Sequence, residues 1–127
     1  MGAAPPIRVL VVDDHQIFTH ALTSVLSQDG RFEVVGTAAT GREAVRLAKA
    51  AAADVVLMDM SMPVLDGPAA TRRLLTLEHA PCVIALSGHS DSLSRTAALE
   101  AGASAFVTKS EAFEELVATI LESCGRG

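Results

Sequence analysis

The sequence contains no tryptophan and no tyrosine, and only four phenylalanines among 127 residues. Any interior must therefore be aliphatic, and a composition that is 50% hydrophobic supplies enough Val, Leu, Ile and Ala to fill one. A disordered chain lacks that surplus. There are two cysteines, Cys82 and Cys124, and nothing points to export, so both read as free thiols of a reducing compartment. Basic clusters are missing: ten Lys and Arg lie scattered among fifteen Asp and Glu, a formal net charge of −5. Direct nucleic-acid binding, which needs a concentrated positive surface, is disfavoured. No apolar run approaches the ~20 residues that cross a bilayer. Residues 1–6 lack the basic start and apolar stretch of a secretion signal, and Pro6 stands where a myristoylation signal has Ser or Thr. The expectation is a soluble, cytoplasmic domain without a membrane partner.

What the sequence does have is alternation. Short β-branched runs at 7–12, 32–36, 54–58, 82–86 and 105–108 read as strands. Between them lie stretches with helical spacing, such as Phe18, Ala21, Leu22, Val25 and Leu26, or Phe113, Leu116, Val117, Ile120 and Leu121. Thr40-Gly41-Arg42-Glu43 has the form of a capping box opening a helix that runs to about Ala51. Gly67-Pro68 opens another, since Pro suits a first helical turn. Ser90 and Ser110 are candidate N-caps, and Gly30 and Gly102 candidate C-terminal caps. Five strands alternating with five helices imply parallel βαβ units with right-handed crossovers. The first, third and fourth strands are apolar on both faces, as strands covered by helices are. The expected fold is α/β: a doubly wound, five-stranded parallel sheet in a three-layer α/β/α sandwich. It comprises a short lead at 1–6, one domain at 7–123 and a frayed end at 124–127.

In open α/β sheets, ligands bind beyond the carboxyl ends of the strands. Asp13, Asp14 and His15 follow the first strand, Asp59 the third, Ser87 and Gly88 the fourth, and Lys109 the fifth. The second strand leads to nothing comparable, as suits an edge. Carboxylates ~4 Å apart repel by roughly 4 kcal/mol at an effective dielectric near 20, so such a cluster calls for a cation. Oxygen donors at this density suit Mg²⁺. A carboxylate beside a metal can also be the nucleophile of phosphoryl transfer, with Lys109 and Ser87 meeting the phosphate oxygens. Asp13 and Asp14 could instead merely cap a helix, but capping accounts for one carboxylate, not for two plus Asp59. His15 reads as a surface residue at a helix start, Cys82 as a small hydrophobe, and Met58, Met60 and Met62 as packing and loop residues. Gly67 and Gly88 read as positions of close backbone approach or tight turning.

Four pieces stand in register at strand ends: Val12-Asp13-Asp14-His15-Gln16, Leu57-Met58-Asp59-Met60-Ser61-Met62-Pro63 with Asp66-Gly67, Leu86-Ser87-Gly88, and Gly102-Ala103-Ser104-Ala105-Phe106-Val107-Thr108-Lys109. Over nearly its whole length the chain resembles a response-regulator receiver domain of two-component signalling, and is most similar to those of NarL/FixJ (LuxR-type) transcription factors. The resemblance implies a flavodoxin-like strand order 2-1-3-4-5. It implies Asp59 as phospho-acceptor, with Mg²⁺ (or Mn²⁺) held by Asp14, Asp59 and the Ser61 carbonyl, and by Asp13 through water. Lys109 and Ser87 match the phosphate-binding lysine and the switch hydroxyl. Phe106 takes the place of the switch aromatic, and is equally readable as a core residue. Ser61 and His89 occupy the variable positions that flank the phosphate and would tune the lifetime of the phospho-form. The implied partners are a histidine kinase, an output domain of helix-turn-helix type beyond Gly127, and a second copy in a phosphorylation-dependent homodimer. Self-modification with slow autodephosphorylation, not enzymatic turnover, is the implied outcome.

The sequence departs from the family at two points. Phe106 lacks a phenolic hydroxyl, and Ser110 replaces the Pro that often follows the lysine, so the cis peptide that accompanies that Pro is not to be assumed. Two rival readings remain. An interaction module without phosphotransfer would usually lose Asp13, Asp14, Asp59 or Lys109, and all four are present. An aspartyl-phosphate phosphatase would place a second Asp two residues after the nucleophile, where this chain has Ser61.

Overall fold

The computed structural model describes residues 5–60, 67–88 and 92–124. Five strands, β1 (Ile7–Val12), β2 (Phe32–Ala38), β3 (Val55–Asp59), β4 (Cys82–Ser87) and β5 (Ala105–Thr108), alternate with five helices. These are α1 (Gln16–Ser27), α2 (Gly41–Ala51), α3 (Gly67–Leu74), α4 (Ser92–Glu100) and α5 (Lys109–Cys124). All strand pairs are parallel, in the order β2-β1-β3-β4-β5. The expected flavodoxin-like sandwich is therefore present, with β2 at an edge.

Side-chain alternation divides the core in two. Val9, Val11, Val55, Leu57, Ile84, Leu86 and Val107 point to one face, where Leu22 and Leu26 of α1 and Leu116 and Ile120 of α5 cover them. Leu10, Val12, Val56, Met58, Val83 and Ala85 point to the other, covered by Ala44, Ala48, Ala70, Leu74 and Ala98 of α2, α3 and α4. Small residues on that second face bring the three helices close to the sheet. The inward stripe of α1 is Thr19, Leu22 and Leu26, while Val25 of the expected stripe is 39% exposed.

The helix ends follow local chemistry, with some corrections. Thr40 accepts a hydrogen bond from the Glu43 amide at 3.1 Å, as the capping box requires, but the Glu43 carboxylate accepts from the Ala39 amide instead of that of Thr40. Gly102, at φ +109°, ends α4: its amide bonds Leu99 and that of Ala103 bonds Ala98, the paired pattern of a left-handed cap. Gly30 caps nothing, because α1 ends through Gln28 in a right-handed conformation. Ser110 lies inside α5; Thr108, just before the helix, is the residue that pairs with Glu111, at 2.7 Å through its hydroxyl. Ser90 lies outside the described residues. Among the described residues there is no cis peptide.

Cys82 and Cys124 are not free thiols: they form a disulfide across 42 residues, with Cα atoms 5.7 Å apart. Composition could not disclose this, because the pairing follows from topology. A helix of a βαβ unit runs antiparallel to the strands, so the end of α5 returns to the pole where β4 begins.

Candidate functional site

Two residues beyond Val11 and Leu57, which face α1 and α5, the same pleat parity brings Asp13 and Asp59 to that side of the sheet. Both are buried, at 3% and 1% exposure, whereas the Asp14 side chain is 36% exposed. α5 begins at the end of β5 with Lys109, whose Nζ lies 2.6 Å from Asp13 Oδ2 and 3.6 Å from Asp59 Oδ2. The ammonium thus bridges the two buried carboxylates, and Nζ also lies 5.1 Å from the centroid of the Phe18 ring. One cation against three carboxylates leaves the rim negative.

His15 is the surface residue at the start of α1 that was expected, its side chain 70% exposed, and it also joins this cluster. Its amide donates to Asp13 Oδ1 at 2.8 Å, and its Nδ1 lies 3.1 Å from the same oxygen and 3.4 Å from Asp14 Oδ1. Nδ1 is also 3.2 Å from Lys109 Nζ. The one available signal was adjacency: a residue immediately after an acidic pair at a strand end turns back over that pair. Asp13, Asp14, His15 and Asp59 each place one donor atom within 4.8 Å of the others. Three of the four donors are carboxylate oxygens, a hard set that fits Mg²⁺ and leaves room for water or phosphate oxygens.

Ser87 ends β4 and is 2% exposed. It lies one position past Leu86, the register partner of Asp59, and shares the sheet face of Ala85. Phe106, paired with Ala85, packs half-buried on that same face, and the Arg95 guanidinium of α4 sits 6.0 Å from its ring centroid. Phe106 thus lies on the sheet face opposite Asp13 and Asp59, while Ser87 stands at the very end of β4, on the strand next to that of Asp59. Gly67 explains its own identity: a Cβ there would overlap the carbonyl oxygen of Asp59 and lie 2.6 Å from Met60 Cα. Around Gly88, by contrast, a Cβ meets nothing within 4 Å among the described residues. Ser61 and His89 lie outside the described residues.

Comparison with known proteins identifies the fold and the family. Residues 9–121 match the model of the response regulator receiver domain. The chain is 39% identical over 114 residues to the response regulator GacA of Pseudomonas viridiflava, covering 90% of this chain and 53% of that one. It is 40% identical over 111 residues to a protein-glutamate methylesterase/protein-glutamine glutaminase of Vibrio parahaemolyticus, covering 87% of this chain and 30% of that one. It therefore spans between about a third and half of these relatives. The solved signal receiver domain of the response regulator NarL from Mycobacterium tuberculosis superposes with a TM-score of 0.89 at 34% identity, covering 97% of this chain and 100% of that one. No helix among the described residues is long and apolar enough to cross a membrane. With the sheet order, the acidic rim and the matched residues in agreement, the chain belongs to the response regulator receiver domain family.

Proposed function

We propose that this domain is a phosphorylation switch in which Asp59 accepts a phosphoryl group from the phosphohistidine of a histidine kinase. The observation that carries the reading is a buried Asp59 carboxylate with a lysine ammonium 3.6 Å away and two further carboxylates at the same rim. When bound by Asp13, Asp14, Asp59 and the Ser61 carbonyl, Mg²⁺ (or Mn²⁺) would supply the charge that offsets the incoming phosphate. Asp59 attacks phosphorus through one oxygen, the bond to the histidine nitrogen breaks, and that nitrogen keeps the electron pair. Lys109 exchanges its contact with Asp13 for one to a phosphate oxygen, and Ser87 donates its hydroxyl to another.

Drawing Ser87 inward moves the end of β4, and Phe106 follows on the same sheet face, altering the surface made by α4, β5 and α5. Such a change requires contacts that differ between the two states, and the Arg95–Phe106 contact on this surface is one that a rotation of Phe106 would break. Modification of Asp59 is the outcome, so we assign no enzymatic turnover to the domain. Ser61 and His89 would set the phospho-form lifetime by gating water. The switch would serve a cytoplasmic transcription regulator with a helix-turn-helix output and a phosphorylation-dependent homodimer; likeness to the response regulators GacA and NarL supports the response-regulator part of this reading. Incubation with acetyl phosphate and Mg²⁺ should add one phosphoryl mass at Asp59, sharply less in Lys109→Ala and none in Asp59→Asn. An unmodified wild type, or modification at another residue, refutes the reading.

A further inference from the structure

We infer that Cys82 and Cys124 form a reversible thiol–disulfide site that fastens the last turn of α5 to the start of β4. The two sulfurs close the pole opposite the acidic rim: Cys82 is the first residue of β4 and Cys124 the last of α5, whose first residue is Lys109. A helix of 16 residues that carries the phosphate-binding lysine at one end is thus tied down covalently at the other.

Three observations favour reversibility over a permanent staple. Both cysteines are only half-buried, packed at the edge of the α1/α5 core cluster, so a small thiol can reach them. The body of α5 is held without the bridge, by Ala112, Leu116 and Ile120 in the core, so opening frees a turn and not the fold. The Ser123 carbonyl oxygen lies 3.7 Å from Cys82 Sγ, an acceptor ready for the S–H of the reduced form. In reducing compartments, disulfides that do form are mostly transient and redox-sensing. Closure proceeds by exchange with a low-molecular-weight disulfide. One cysteine thiolate attacks it and expels a small thiolate, and the second cysteine then attacks the mixed disulfide and expels the other. Two protein thiols are oxidised, one small disulfide is reduced to two thiols, and the two protons leave with them.

The inference takes its thiol pool from the cytoplasmic placement proposed above. Its test runs in vitro without phosphorylation, so either can fail alone. The protein is equilibrated at set ratios of reduced to oxidised glutathione, quenched with N-ethylmaleimide and weighed. The expected result is no adduct under oxidising ratios and two per chain under reducing ones, in the native state. Hydrogen exchange over 121–124 should quicken about tenfold on reduction, while that over 109–120 stays nearly constant. Cys124→Ser should show the fast exchange at every ratio. The inference is overturned if two adducts form at every ratio, if the bridge opens only on unfolding, or if opening leaves exchange at 121–124 unchanged.

Discussion

Replacing Asp59 by Asn should stabilise the metal-free domain, and the size of the gain follows from the geometry of the rim. Asp59 gains from Lys109 at 3.6 Å about 4.6 kcal/mol at an effective dielectric of 20. Against this stand Asp13 and Asp14, each with an oxygen within 4.8 Å, which cost at least ~3.5 kcal/mol apiece on the same scale. Removing the charge therefore relieves about 7 kcal/mol of repulsion and loses about 4.6, a net gain near 2 kcal/mol. Asn is nearly the same size, so no cavity offsets it. A gain of about 2 kcal/mol corresponds to a rise in Tm of roughly 6–10 °C for a domain of this length. Urea and thermal unfolding in EDTA measure it directly. Saturating Mg²⁺ should reverse the order, because a ligand at a hundredfold excess over its Kd stabilises the wild type by about 2.7 kcal/mol and the Asn variant, with one ligand fewer, by much less. An Asp59→Asn protein that is less stable than the wild type in EDTA would refute the electrostatic account. So would equal stabilisation of both proteins by Mg²⁺.

Two further outcomes are expected. Gly67→Ala forces a methyl group against the Asp59 carbonyl and the Met60 backbone. It should cost about 2–3 kcal/mol in urea unfolding and slow phosphorylation of Asp59, and a neutral result would mean that α3 can shift freely. Hydrogen bonds from the Thr108 hydroxyl, and then from its amide, hold the Glu111 carboxyl below its ordinary 4.5. A depressed folded value means that this cap supports α5 above about pH 4.5 and is lost as the pH falls through the lowered value. Carboxyl NMR titration should show Glu111 moving back up toward 4.5 in Thr108→Val, and an unmoved titration would remove Thr108 as the cause.

Most of the architecture was legible because its signals are local. β-branched runs, helical spacing and the Thr40–Glu43 cap act within about ten residues, and alternation of strand and helix leaves few parallel topologies. The same applies to Asp13, Asp59, Ser87 and Lys109, since each is marked by standing at a strand end. Gly30 and Ser110 misled because a residue type that suits a cap does not say which turn of the helix is the last one. Phe106 stayed ambiguous in sequence because its face of the sheet is set by its pairing with Ala85.

The sequence by itself determined the elements, their order and which strand ends carry charge, all consequences of short-range sterics and of hydrophobic period. Only the tertiary structure decided that His15 meets Lys109, 94 residues away, and that Cys124 returns to Cys82. Those contacts depend on how helices lie back across the sheet. Packing of side chains distant along the chain sets that geometry, and no local pattern encodes it.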